Sequence, residues 1–165
     1  MATTNTPKNP GVVKGSHMET RNDLHVLNGE SWKAGQPLYM DTNGLLKTCA
    51  SDADSGTGGI KFYAINDQTD PGNNTTTANV GIITDSTVFE GFELDGTRTE
   101  ANVGIPYAID VTSNVMTVDI GDTGNDAVMI TELGPSYAPL VNKSDDVKMR
   151  VRFKFLPEVL EAANA

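Results

Sequence analysis

Turn-forming residues interrupt this chain so often that no long regular element fits between them. AsnGly at 28–29 and 43–44, AspGly at 95–96, SerAspAlaAspSerGlyThrGlyGly at 51–59, AspProGlyAsnAsn at 70–74 and AspThrGlyAsnAsp at 122–126 cut it into short runs. Glycine supplies positive φ in such turns, while Asn and Asp side chains bond their own backbone two residues on. The runs between the turns are rich in β-formers and fall at 24–27, 37–40, 45–49, 60–65, 80–84, 88–94, 106–111, 115–120, 127–133 and 147–155. Short strands parted by turn signals roughly every 8–12 residues predict an all-β fold, a small barrel or sandwich of short antiparallel strands. Asn43-Gly44 predicts a two-residue hairpin, since a type I′ turn needs positive φ at both central positions. The tail at 157–165 alone favours helix, opening on Pro157 and continuing through Glu, Leu and Ala.

Three segments follow from this pattern: an extended arm at 1–22, a β domain at 23–156 and a short C-terminal helix or tail at 157–165. Within the β domain the halves align. Leu27-Asn28-Gly29, Ala34, Gly35, Pro37 and Asp41 match Leu94-Asp95-Gly96, Ala101, Gly104, Pro106 and Asp110. The match runs on loosely, with 60–65 against 127–132, and defines two units at 23–67 and 91–133. Each reads as strand, loop, strand, hairpin, strand, and two such units suit one core with pseudo-twofold symmetry.

The formal charge is −10, unevenly spread: +2 over residues 1–21, −12 over 22–144 and zero over 145–165. An acidic body repels a polyanion, which argues against nucleic-acid binding. No apolar run approaches the ~20 residues that a spanning helix needs, and the N-terminus carries no apolar signal core. Cys49 is the sole cysteine, so neither a disulfide framework nor a multi-cysteine metal site forms within one chain. These features predict a soluble protein made in the cytoplasm.

Two segments hold back positive charge. In the C-terminal strand Val147, Met149, Val151, Phe153 and Phe155 alternate with Lys148, Arg150, Arg152 and Lys154. A period of two puts the apolar groups on one face and the four bases on the other. That stripe either pairs with the chain's own acids and protects a sheet edge, or docks an acidic partner by complementarity. The arm, with Pro7, Lys8, Pro10, Val12, Val13 and Lys14, has no helical or strand period. It orders only where contacts offset its entropy, and a partner chain is one source of them.

Other chemistry is thinly represented. Asp52, Asp54, Asp119, Asp122 and Asp126 offer oxygens to calcium, but their spacing fits no EF-hand loop and suits turn formation equally well. No metal or cofactor is expected. The nucleophile, zinc-protease, P-loop and dinucleotide motifs are all missing, so no catalytic set is expected. Trp32, Tyr39, Tyr63 and Tyr107 would serve a sugar-stacking platform or, more simply, a core.

The run LNGESWKAGQPLYMDTNGLLKT, the loop SDADSGTGG, the strand IKFYAI and the later GFELDGTRTEANVGIPYAIDV resemble tailed-bacteriophage capsid decoration (cement) proteins. The likeness spans residues 24–133 and rests on turn chemistry rather than on reactive residues. It implies a non-enzymatic virion protein on the outer capsid surface that clamps neighbouring major capsid subunits, often through an extended arm. It further implies a homotrimer, with a dimer as the alternative, and no nucleic-acid or membrane partner. The partner-binding residues would then be Pro7, Lys8, Pro10, Val12, Val13, Lys14, Lys148, Arg150, Arg152 and Lys154. A glycan-binding or head-fibre-like adhesion module is the alternative reading.

Overall fold

Short runs that bury apolar residues against a neighbour carry most of the eleven strands among the described residues, while those at 11–12 and 20–25 are largely exposed and are held by their pairing. The computed structural model describes residues 9–16, 18–49, 59–94, 99–133 and 150–161. The strands are β1 (Gly11–Val12), β2 (Thr20–His25), β3 (Pro37–Met40), β4 (Leu46–Thr48), β5 (Phe62–Ala64), β6 (Thr77–Ile82), β7 (Phe89–Leu94), β8 (Pro106–Thr112), β9 (Val115–Asp119), β10 (Val128–Leu133) and β11 (Arg150–Phe155). One helical turn, α1 (Pro157–Glu161), follows. The fold is all-β, as the turn spacing predicts.

The strands form two curled sheets, ordered β2-β6-β5-β3-β4 and β1-β7-β11-β10-β8-β9. In the second, β9 also pairs in parallel with β7, which rolls the sheet into a partial barrel. In the first, Val26, just beyond β2, makes a parallel bridge to Leu46 of β4. We call these the N-unit and the C-unit; β1 is an extra strand on the C-unit.

The two units share one wiring. In chain order the first strand of each pairs with the fifth, the fifth with the fourth, the fourth with the second and the second with the third. A parallel contact then returns the third to the first. The registers correspond as well. Pro37 lies opposite Tyr63 as Pro106 lies opposite Met129. Tyr63 lies opposite Gly81 as Met129 lies opposite Lys154. Gly35 N–H donates to the Ala64 carbonyl at 2.7 Å, and Gly104 N–H to that of Ile130 at 2.8 Å. Both glycines need positive φ, +94° and +82°. Each unit takes its fifth strand, β6 or β11, from beyond the stretches aligned above. The ladders also set Phe62 against Val128, one residue away from the sequence alignment.

Each unit has its own core. Leu24, Val26, Trp32, Leu38, Leu46, Phe62 and Val80 fill the N-unit. Phe89 centres the other, stacked on Phe153 at 5.7 Å and edge-on to Phe155 at 5.5 Å. Cys49, Ile60 and Ile83 of the N-unit, with Val159 of α1, join that second core. The Ile60 N–H also donates to the Val159 carbonyl. The units are therefore joined by shared apolar packing, the dominant stabilising term in folding.

Three local expectations change. Asn43-Gly44 does not form a type I′ turn. Asp41 accepts N–H groups from Asn43 and Leu45, at 2.9 and 2.8 Å, and only Gly44 takes positive φ, which gives a longer loop. The paired positive φ values, 52° and 63°, occur at Ser113 and Asn114, between β8 and β9. The strand expected at 24–27 starts earlier, at Thr20, and the one expected at 80–84 is β6, Thr77–Ile82. The β2 extension is polar and exposed, and the β6 extension sets exposed Thr77 and Asn79 around a single small buried residue, Ala78, so the apolar pattern carries little signal in either.

The third change concerns the arm. Residues 9–16 lie against the chain's own body. The Asn9 amide donates to the Asn114 carbonyl and its oxygen accepts from Met116 N–H, both at 2.8 Å, clasping the β8–β9 hairpin. Pro10 is buried, and its carbonyl accepts from the Tyr63 hydroxyl at 2.8 Å. β1 pairs antiparallel with β7. Val13 N–H donates to the Val88 carbonyl, and Val88 N–H donates to the Ser16 hydroxyl, both at 2.9 Å. A Cβ added at Gly35 would run into Asn9 and Pro10, and one at Gly81 into Met18. These glycines make room for the segment.

Candidate functional site

β11 resolves the first of the two basic segments. Its described residues keep the alternation: Val151, Phe153 and Phe155 are buried, while Arg150, Arg152 and Lys154 point outward. The apolar positions fill the aromatic core, so the bases have only the outer face left.

On that face the acids of flanking strands meet the arginines. Arg150 Nη1 lies 3.2 Å from Glu90 Oε1 of β7, and Arg152 Nε lies 3.4 Å from Glu90 Oε2. Arg152 Nη1 also bonds Glu132 of β10. Side-chain exposure of 25% for Arg152 and 23% for Glu90 makes that pair the least solvated of the three. The stripe is thus partly neutralised from within. Among the described residues Lys154, half-buried at the next outward position, has no ion-pair partner.

The second basic segment comes to the same place. Val13 and Ser16 are bonded to Val88 at the start of β7, which fixes the tight turn between them, and Gly15 takes φ +91° there. That turn forms one wall of an open groove of about 510 Å³ whose floor is the outer face of β10 and β11. Lys14, Ser16, Ser86, Glu132, Arg152 and Lys154 line it. Lys14 is exposed and, among the described residues, has no ion-pair partner either. Three cations and one carboxylate therefore surround a hydroxyl-bearing groove, a positive island on an acidic protein. Its chemistry is that of a carboxylate receptor: ammonium and guanidinium groups to attract, hydroxyl groups to orient.

The expected site residues divide into three groups. Lys14, Arg152 and Lys154 converge on the groove, Val13 forms part of its wall, and Arg150 lies beside it through Glu90. Pro10 and Val12 are spent on the fold, the first buried and the second paired to Phe89. Pro7, Lys8 and Lys148 lie outside the described residues. Ser16, Ser86, Thr131 and Glu132 are groove residues that sequence reasoning missed. Glu132 had one usable signal: an acid in a β-run, free to pair with the basic stripe.

The remaining candidates sit elsewhere. Trp32 is 2% exposed and Tyr107 5%, so neither offers a face to a sugar, and Tyr63 packs on Phe89 at 5.3 Å. Tyr39 is half-buried beneath Lys47. Among the described residues no group of three His, Cys, Asp or Glu side chains is placed to hold a metal ion. Asp52 and Asp54 lie outside the described residues. Asp122 accepts the Gly124 N–H at 2.7 Å, as a turn former does. Among the described residues no helix is long and apolar enough to cross a membrane.

Two carboxylates held in the charged form are also turn formers. Hydrogen bonds from Lys33 and then from Ala34 N–H hold the Asp67 carboxyl below its usual range. Those from Gly72 and then Gly29 N–H do the same for Asp70. Both lie in the loops of the N-unit, away from the groove. Comparison with protein-family models, with curated proteins and with solved structures found no match.

Proposed function

We propose that this is a non-enzymatic structural protein that binds the outer surface of an assembled phage capsid and bridges neighbouring major capsid subunits. One observation carries the contact chemistry of this reading. Lys14 from the N-terminal segment and Arg152 and Lys154 from the C-terminal strand, 138 and more residues apart in sequence, line one groove. The resemblance of residues 24–133 to capsid decoration proteins supplies the identity of the partner.

The physical role follows from charge placement. The acidic body is repelled by an acidic surface everywhere except at the groove, so attraction there selects one orientation. Each single contact is weak, and assembly into a homotrimer would multiply it by effective concentration. Because residues 9–16 are built into the body, the shell contact passes from a free arm to this turn and the strand beside it. Deleting residues 1–21 would remove Asn9, β1 and the start of β2, and would damage the fold as well as the contact. The adhesion alternative loses its principal residue, since Trp32 is in the core.

Charge reversal is the clean test. Lys14→Glu with Lys154→Glu should cut co-sedimentation with intact shells at least about tenfold, with the melting temperature unchanged because neither ammonium has an ion-pair partner among the described residues. Undiminished co-sedimentation of the double variant would overturn the reading.

A further inference from the structure

The shared wiring of the two units gives the outer face of β10 and β11 a counterpart for comparison. Its twin in the N-unit is the face of β5 and β6 turned away from that unit's core, carrying Tyr63 and Gly81. That face is occupied: Met18 lies over Gly81, the Tyr63 hydroxyl holds the Pro10 carbonyl, and the Tyr63 ring packs on Phe89. The occupants there are Pro10 and Met18, from the chain's own N-terminal segment.

In the C-unit the equivalent positions are Met129 for Tyr63, Lys154 for Gly81 and Arg152 for Asn79. Arg152 and Lys154 line the groove, with Thr131 and Glu132 of β10 beside them. The substitutions are specific in direction. Where the N-unit has a glycine that admits a methionine, the C-unit has a lysine; where the N-unit has a neutral amide, the C-unit has a guanidinium. Two of the charges that would meet an occupant, Lys14 and Lys154, have no acid of their own among the described residues.

We infer that the outer face of β10 and β11 is a docking track for an extended, carboxylate-bearing peptide segment of a partner protein. Backbone packing of the kind seen on the twin face supplies the geometry, and Lys14, Arg152 and Lys154 supply the selectivity. Glu132, already bonded to Arg152, would be displaced or shared by an incoming carboxylate. The inference rests on the capsid reading only for the identity of the partner; the partner's chemistry comes from the groove.

A synthetic hexaglutamate peptide is the probe, titrated into the isotope-labelled full chain and followed by backbone amide NMR. The expected result is saturable shifts at Lys14, Gly15, Ser16, Arg152 and Lys154. They should weaken about tenfold or more in Lys14→Glu/Lys154→Glu and vanish at about 0.5 M salt, where the screening length is only a few ångströms. The same weakening in Lys14→Gln/Lys154→Gln would attribute it to lost attraction. Lys33→Glu/Lys47→Glu, an equal change of net charge outside the groove, should leave the shifts unchanged. Shifts spread over the surface, none at low salt, or stronger binding of a single-stranded oligonucleotide of matched charge would each overturn the inference. Peptide binding at the groove without shell binding would uphold it and sink the capsid reading; shell binding without peptide binding would do the reverse.

Discussion

The N-unit covers Tyr63 and Gly81 on the outer side of β5 and β6, with Asn79 beside them facing solvent, whereas the C-unit leaves Arg152 and Lys154, on the equivalent side of β10 and β11, lining an open groove. Strand order is alike and the registers match at Tyr63–Gly81 and Met129–Lys154, although β10 carries a bulge between Ile130 and Glu132, so most of the difference at these positions lies in side chains. Tyr63 and Gly81 suit a covered face: a ring to bury, a hydroxyl for one carbonyl and space for Met18. Lys154 and Arg152 suit a wetter one, since such side chains can lay an apolar stem along a surface and keep the charged head in contact with water. One scaffold thus supplies an intramolecular packing surface in one copy and a charged, groove-lining surface in the other.

The comparison breaks first if the units prove independent. Phe153→Ala truncates a buried ring in the C-unit and should cost about 3–5 kcal/mol. Trp32 is the only tryptophan and sits in the N-unit core, so its fluorescence reports that unit alone. Because Cys49, Ile60 and Ile83 join the C-unit core, the Phe153→Ala variant should lower the fluorescence-detected and the circular-dichroism melting temperatures together. A shift in circular dichroism with unchanged Trp32 melting would mean two separate domains.

The twin glycines sharpen the comparison at a smaller energy. Gly35→Ala meets both a positive φ and a clash with Asn9 and Pro10, so it should cost about 1–3 kcal/mol. Hydrogen exchange over residues 9–16 should quicken with it. Gly104→Ala meets positive φ alone, with nothing within 4 Å, and should cost about 1 kcal/mol. Equal costs and unaltered exchange at 9–16 would deny that the N-unit is shaped around that segment.

The smallest effect is on pH. Asp67 and Asp70 have lowered pKa values in the folded protein. Their contribution is present above the unfolded carboxylate value of about 3.9 and is lost as pH falls through the lower folded values. Both side chains are exposed, so the effect is modest. The melting temperature should fall between neutral pH and pH about 3, and Asp67→Asn/Asp70→Asn should reduce that fall. A fall unaltered by the double variant would locate acid sensitivity in other carboxylates.

The C-terminal strand was legible because Val151, Phe153 and Phe155 bury one face completely, and burial of one face is what makes a period of two visible. The repeat was legible through Gly35 and Gly104, whose positive φ restricts the residue choice. The docking of residues 9–16 was not, because it depends on partners far away in sequence. Asn9 bonds to 114 and 116, and Pro10 to Tyr63, and no local pattern encodes such contacts. β6 was misplaced for a related reason: Thr77 and Asn79 face solvent and carry no apolar signal. The groove combined both cases, a readable stripe with an unreadable turn laid beside it.

The central claim is that the open face of the C-unit is the face that meets the partner. Hydrogen–deuterium exchange of the protein free and bound to intact shells tests it most directly. Protection on binding should fall on residues 13–16, 86–88, 129–132 and 150–154. Protection centred on the N-unit loops at 67–76, or no protection at the groove in shell-bound protein, would contradict it.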